Sequence, residues 1–299
     1  MKKITTILII MATIVFTTSK SINAASRRGD VINKTDIQLT KGNIKVFDYG
    51  TYKVHIYSTK DLMNDVCIII EKKNKAILIE SPAFKDNFEE FRNYITKNNI
   101  NLEALILPYH PLGGSFIDTD ELRDIDIYTT IHVINYFNKG FGSVMKAGIP
   151  KTFGDKIDSK LYTANKILPE GICKIAGIKM NLVRTYDGFD IEIPAIKTVY
   201  VHILGHNVHS EILSAEHLDN SIKNFQNYLN EGYIHFLSSH YATETKENMQ
   251  TKLNYLITLK RIISNSNNRE EFVNKMKEIY PSYKEGYLQT TAGTFFSNK

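Results

Sequence analysis

Between residues 44 and 107 the apolar positions fall in short β-branched and aromatic runs, separated by polar or glycine punctuation. The stretches 44–48, 52–58, 66–71 and 75–80 read as strands, with Tyr49-Gly50 and Lys72-Lys73-Asn74 as turns. Cys67-Ile68-Ile69-Ile70 and Ala76-Ile77-Leu78-Ile79 are continuous apolar runs, which predicts a hairpin of two well-buried strands. The period then changes. Phe84, Phe88, Phe91 and Tyr94/Ile95 recur at helical spacing. Residues 102–107 form another buried strand, ending at Pro108-Tyr109-His110-Pro111-Leu112-Gly113-Gly114. Two short helices with loops are expected over 132–168. Strands follow over 178–184, 189–193 and 197–204, then a helix over 216–228 and a strand over 234–238. Helices over 243–264 and 272–279 complete the pattern, and the apolar end at 287–296 is expected to dock back on the body, with a partner-binding tail as the alternative. Strands followed by helices occur twice, which predicts one α/β layered protein of two similar halves.

The amino terminus reads differently. Lys2 and Lys3 precede an uncharged, mostly apolar run of 13 residues from Ile4 to Phe16, too short for a comfortable membrane span. A polar stretch ending at Ala24 follows, so residues 1–24 are expected to be a cleaved signal peptide, with an uncleaved amino-terminal anchor as the alternative. Residues 25–40 read as a leader strand or tether, and 41–299 as the folded body. Export to a periplasm or the medium is the expectation, with no stable membrane anchor on the mature protein.

That reading changes the meaning of the charge. The formal charge is +5, but the first 24 residues carry Lys2, Lys3 and Lys20 and no acid, so their removal leaves +2. A balance so near neutral gives no broad attraction to nucleic acid or anionic lipid, and the expected partner is a small molecule. The two cysteines, Cys67 and Cys173, exclude a disulfide scaffold and a cysteine zinc site, although an oxidising compartment would allow them to pair.

Chemistry therefore falls to nine histidines. His110 and His240 each come just after a predicted buried strand, where a rigid sheet can converge side chains on one point. His202, His206 and His209 lie within one short segment. His206 follows Gly205 at an expected strand end, His202 reads as mid-strand and His209 as a surface residue or cap. His55, His132, His217 and His235 read as structural or exposed. Neutral imidazole ligates zinc and similar ions and serves as a general base. No nucleophile elbow surrounds Ser115, and Gly113-Gly114 lacks the lysine of a phosphate loop.

This order of elements resembles the metallo-β-lactamase-fold superfamily over residues 41–264. In that family a hairpin ending in a buried "LID" strand leads to a helix, and the next strand ends in T-H-x-H-x-D-H-x-G-G. Ala76-Ile77-Leu78-Ile79-Glu80-Ser81 is similar to the first element, with Glu80 where the family has Asp. Residues 105–114 are similar to the second, and Leu237-Ser238-Ser239-His240 to a last strand ending in a ligand histidine. The resemblance implies a four-layer αββα sandwich of the α/β class. It carries over only His110 and His240 as ligands, because Pro108, Leu112 and Gly113 occupy the other motif positions and Gly205-His206 stands at the family's Gly-Asp. Asp187-Gly188-Phe189-Asp190 is the nearest counterpart of the Gly-His-Thr element. A standard dinuclear zinc centre is not expected from this set. The expected centre is one zinc or other divalent ion on His110, His206 and His240, with His202 and His209 as further candidates. Tyr109, Gly113 and Gly114 are the expected substrate contacts. The implied activity is hydrolysis of a small ester, lactone or amide; the alternative is an exported binding or structural member without catalysis.

Overall fold

The computed structural model describes residues 29–202, 205–241, 243–285 and 287–296. The expected signal peptide, residues 1–24, lies outside the described residues, as do residues 25–28 of the leader. No described helix is long and apolar enough to cross a membrane.

Two sheets stack face to face. The first runs in chain order: β1 (Asn33–Gln38), β2 (Asn43–Asp48), β3 (Tyr52–Ser58), β4 (Val66–Lys72), β5 (Lys75–Ile79), β6 (Leu102–Ile106), β7 (Asp126–Thr129) and β8 (Lys166–Ile167). It is antiparallel from β1 to β5 and parallel from β5 to β8. The leader thus supplies the edge strand β1, so the sheet starts before the boundary expected at 41. The second sheet contains β9 (Gly171–Ile175), β10 (Ile178–Arg184), β11 (Phe189–Ile193), β12 (Thr198–Val201), β13 (His235–Ser238) and β14 (Glu244–Thr245). Its order is β14-β13-β12-β11-β10-β9, and only β12–β13 is parallel.

Side-chain parity explains the layers. In β4, Ile68 and Ile70 face the second sheet, packing with Ile178, Met180 and Ile191. Cys67 and Ile69 face the other way, toward Phe88, Phe91 and Tyr94 of α1 (Phe88–Lys97). A strand covered on both faces needs apolar residues at every position, which is the pattern of the continuous run. The second sheet turns Val199, Val201 and Phe236 to its own outer face. There α4 (Ala215–Asn230), α5 (Lys246–Ser264), α6 (Arg269–Ile279) and α7 (Leu288–Phe296) cover it, with α2 (Ile131–Asn138) and α3 (Gly140–Phe153) placed earlier in the chain. The result is the expected αββα sandwich. The carboxyl-terminal segment docks as α7, with Leu288 and Ala292 fully buried. Cys67 and Cys173 are unpaired, since parity points Cys67 at the α1 layer and β9 lies in the other sheet.

Candidate metal centre

The register of β12 and β13 sets up the site. These neighbours run parallel, pairing Val201 with Ser238 at their carboxyl ends. His202 follows the first strand directly, and His240 lies two residues past the second. From the facing sheet, the segment after β6 brings in His110. The ligand atoms of His110, His202 and His240 all lie within 4.8 Å of one another. Nε2 of His110 is 3.1 Å from Nε2 of His240 and 3.2 Å from Nε2 of His202.

The His240 and His202 rings and the His110 backbone are supported from outside the trio. His240 Nδ1 is 3.1 Å from the Met63 carbonyl and 3.1 Å from Asp65 Oδ1. Both are acceptors, so Nδ1 carries a proton and Nε2 is the atom turned toward the other two histidines. The segment before β4 is fixed there by Val66 N–H donating to the Ser239 carbonyl at 2.7 Å. The Tyr109 ring stacks on His202, with centroids 3.8 Å apart. Asp187 Oδ2 lies 3.9 Å from His202 Nδ1, too far for a direct hydrogen bond. Glu80, directly after β5, has φ of 57° and is buried. Its Oε1 accepts from the Tyr109 N–H at 3.2 Å, the His110 N–H at 3.4 Å and the Tyr200 hydroxyl at 3.2 Å. One carboxyl group thereby joins the His110 segment to the second sheet.

The electrostatics favour ligation. Burial, reinforced by the neighbouring His240, pushes His110 down to about 3, and burial with His110 and His240 pushes His202 well below its ordinary value. Burial also opposes charge on His240, but the Asp65 carboxylate beside it outweighs burial and raises that ring. Burial raises Glu80 to about 8, although its hydrogen bonds oppose the shift. At neutral pH, His110 and His202 are therefore neutral, the form that binds metal.

Three convergent nitrogens are a poor hydrogen-bond network: one His110 N–H cannot point well at both neighbours. A shared cation fits them better. Nitrogens each 2.0–2.1 Å from a tetrahedral zinc are about 3.3–3.4 Å apart, close to the separations found here. The three imidazoles could therefore hold one divalent ion and leave a position open.

The other expected residues stand elsewhere. His206 is anchored to Glu244, its N–H donating to Oε1 at 2.9 Å and its Nδ1 lying 2.7 Å from Oε2. His209 is buried with Nδ1 3.2 Å from the Tyr255 hydroxyl, and burial with Lys252 lowers it to about 4. Neither joins the trio. Tyr109 is only 2% exposed, and its ring supports that of His202. Gly113 and Gly114 are also buried. Gly113 has φ of 92°, and a Cβ there would sit 2.5 Å from the Pro82 carbonyl; at Gly114 it would sit 2.9 Å from the Leu161 carbonyl. These glycines allow backbone segments to approach closely. Of the supporting residues, Glu80 and Asp187 carried a signal in the sequence as carboxylates near expected strand ends, and Asp65 carried none.

No protein-family model and no curated protein sequence matches this chain. Solved structures do match it. The sec-alkyl sulfatase PisA1, as a double mutant, is similar with a TM-score of 0.58 and 10% identity, over 84% of this chain and 49% of that one. The B3 metallo-β-lactamase BLEG-1 is similar with a TM-score of 0.52 and 11% identity, over 66% of this chain and 96% of that one. VMB-1 is similar with a TM-score of 0.51 and 11% identity, over 74% of this chain and 99% of that one. These likenesses show the fold: the chain has the metallo-β-lactamase architecture, in a divergent sequence.

Proposed function

We propose that this protein is an exported hydrolase of a small ester, lactone or amide, dependent on one divalent ion, zinc in the simplest case. The observation that carries this reading is the convergence of three Nε2 atoms from His110, His202 and His240 at ligand spacing. Two proteins of the same fold are named as a sulfatase and a β-lactamase, which agrees with a hydrolytic role. Export rests on the Lys2-Lys3 start and the apolar run after it.

When bound, the ion supplies Lewis-acid activation of water and of an acyl oxygen at neutral pH. The chain's own groups supply the rest. Asp65 and the Met63 carbonyl hold the His240 proton on Nδ1, keeping Nε2 free. Glu80 fixes the backbone that carries His110. Tyr109 covers one face of His202 and excludes water from it. Asp187 Oδ2, 3.9 Å from His202 Nδ1, would set a carboxylate beside the ring nitrogen that faces away from the other two histidines.

A binding protein without metal is the competing reading, favoured by Leu112 and Gly113 at the family's Asp and His positions. Elemental analysis of purified mature protein separates the two. The expected result is one metal per chain, lost in His202→Ala and kept in His206→Ala. A metal-poor wild type, or a His202→Ala variant that retains full metal, overturns the hydrolase reading.

A further inference from the structure

Beside the His110 segment, α2, the stretch 161–164 and the carboxyl ends of β6 and β7 bound a cavity of about 230 Å³. Its wall is mostly apolar, with Leu107, Pro111, Val133, Phe137 and Leu161 contributing. Leu107, Val133 and Phe137 are buried, so this is a gap among packed side chains and not a shallow dip in the surface. None of the three convergent histidines lines it.

Several polar groups of the wall already have partners. The Thr129 hydroxyl donates to the Leu107 carbonyl at 2.8 Å, and the Tyr162 hydroxyl is 2.8 Å from Ser81 Oγ. Tyr109 turns its hydroxyl to Met145 Sδ at 3.3 Å. Lys146 of α3 differs. It is the one charged residue in the wall, and its Nζ donates to Asn138 Oδ1 at 3.3 Å. Asn138 lines the cavity too and is exposed, while Lys146 is half-buried, so this polar end is where the cavity meets solvent. No acid lines the cavity, and among the described residues Lys146 has no carboxylate partner.

An apolar wall with one unanswered cation at its mouth specifies an occupant. A hydrocarbon body displaces poorly held water from such a wall, and a negative head group answers the ammonium. A neutral hydrocarbon leaves Lys146 unanswered, and a cation is repelled by it. The volume sets the length of the tail. An apolar cavity of about 150 Å³ takes up benzene, or about 25 Å³ per carbon, so this one suits about eight or nine carbons. We propose that the cavity binds an aliphatic anion, with a tail of about eight carbons inside and one negative head group at Lys146. The site stands on the cavity alone and does not require the hydrolase reading.

Calorimetric titration of the full chain tests this, with octanoate and octyl sulfate as probes below micelle-forming concentrations. The expected result is saturable binding of one or both anions, about fivefold tighter than 1-octanol and octylammonium. The ratio of the two anions then tells a carboxylate head from a sulfate. From butanoate upward, affinity should rise about fourfold per methylene and level off at about eight to ten carbons. Lys146→Gln should bring octanoate down to the level of octanol. Val133→Phe, which fills the cavity, should abolish binding of both while the circular dichroism stays unchanged. Each titration is run with zinc and again with a chelator. Octanoate binding seen only with zinc would place the head group on the histidine centre and overturn the proposal. Octanol or octylammonium bound as tightly as the anions would overturn it too, as would an affinity that keeps rising to dodecanoate. The chain-length series needs no variant, so it decides the matter even where Val133→Phe fails to fold.

Discussion

Asp65→Asn is a demanding test of the centre, because it removes a charge while keeping a shape. The carboxylate lies 3.1 Å from His240 Nδ1, with the residue 8% exposed and His240 2% exposed. The Met63 carbonyl, also 3.1 Å away, stays in place, so the ring keeps its tautomer and orientation. What is lost is the negative charge that makes His240 a more basic ligand. Replacing partners behind a ligating histidine costs about 10–100-fold in metal affinity. The surviving carbonyl bond puts this variant near the lower end, about tenfold, or about 1.4 kcal/mol. The assay is competition for zinc against a chromophoric chelator at about pH 7.5, with folding checked by circular dichroism. Asp65→Ala, which also opens a cavity and frees the loop, should lose more. An Asp65→Asn protein that binds zinc as tightly as wild type would refute the account of how His240 is held.

Three further outcomes follow from the packing. Phe91 is fully buried, stacked on Tyr57 at 4.6 Å and beside Phe116 at 5.8 Å, so Phe91→Ala should cost about 3–5 kcal/mol in a urea titration; a loss under about 1 kcal/mol would show that α1 is not anchored there. Gly113→Ala meets both a left-handed backbone and the Pro82 carbonyl, so it should lower stability by more than about 1 kcal/mol and weaken metal binding through the His110 segment; wild-type values of both would refute this. Burial raises Asp190 from 3.8 to about 8, partly opposed by the Tyr228 hydroxyl, which donates to Oδ2 at 2.7 Å. The folded chain then keeps a proton that the unfolded chain releases, so this group's contribution is fully present below about pH 4 and is lost as pH rises toward about 8. Asp190→Asn should therefore gain stability relative to wild type between about pH 5 and about pH 8, and a pH-independent difference in urea midpoints would contradict it.

The layered fold was legible because local pattern carried it. Ile68, Ile69 and Ile70 in sequence require apolar neighbours on both sides, and Phe88, Phe91 and Tyr94 at helical spacing supply one of them. The strand β7 escaped notice because only Ile127 and Thr129 are buried in a four-residue stretch flanked by polar residues. His110 and His240 were visible as residues just past buried runs. His202 was misplaced for a specific reason: the apolar run through Leu204 extends the expected strand, whereas β12 ends at Val201, where its pairing with β13 stops. Where a parallel pair ends depends on a partner far along the chain, and no local pattern records it. The same distance hides the Glu244 partner that takes His206 out of contention. Glycine pairs are equally ambiguous on paper, since a ligand and a neighbouring backbone both demand the missing side chain.

The three histidines belong to different structural halves: His110 follows a strand of the first sheet, while His202 and His240 follow neighbouring strands of the second. The centre exists only when the two sheets are docked in their final alignment. An ion held there would act as a rivet through the sandwich, with no affinity for a chain in which the sheets have parted. Thermal resistance would then depend on the surrounding metal supply, gaining about 4 kcal/mol at a free concentration 1,000 times the dissociation constant. The same protein would be sturdy in a metal-rich setting and fragile beside a chelator, without any change in its sequence.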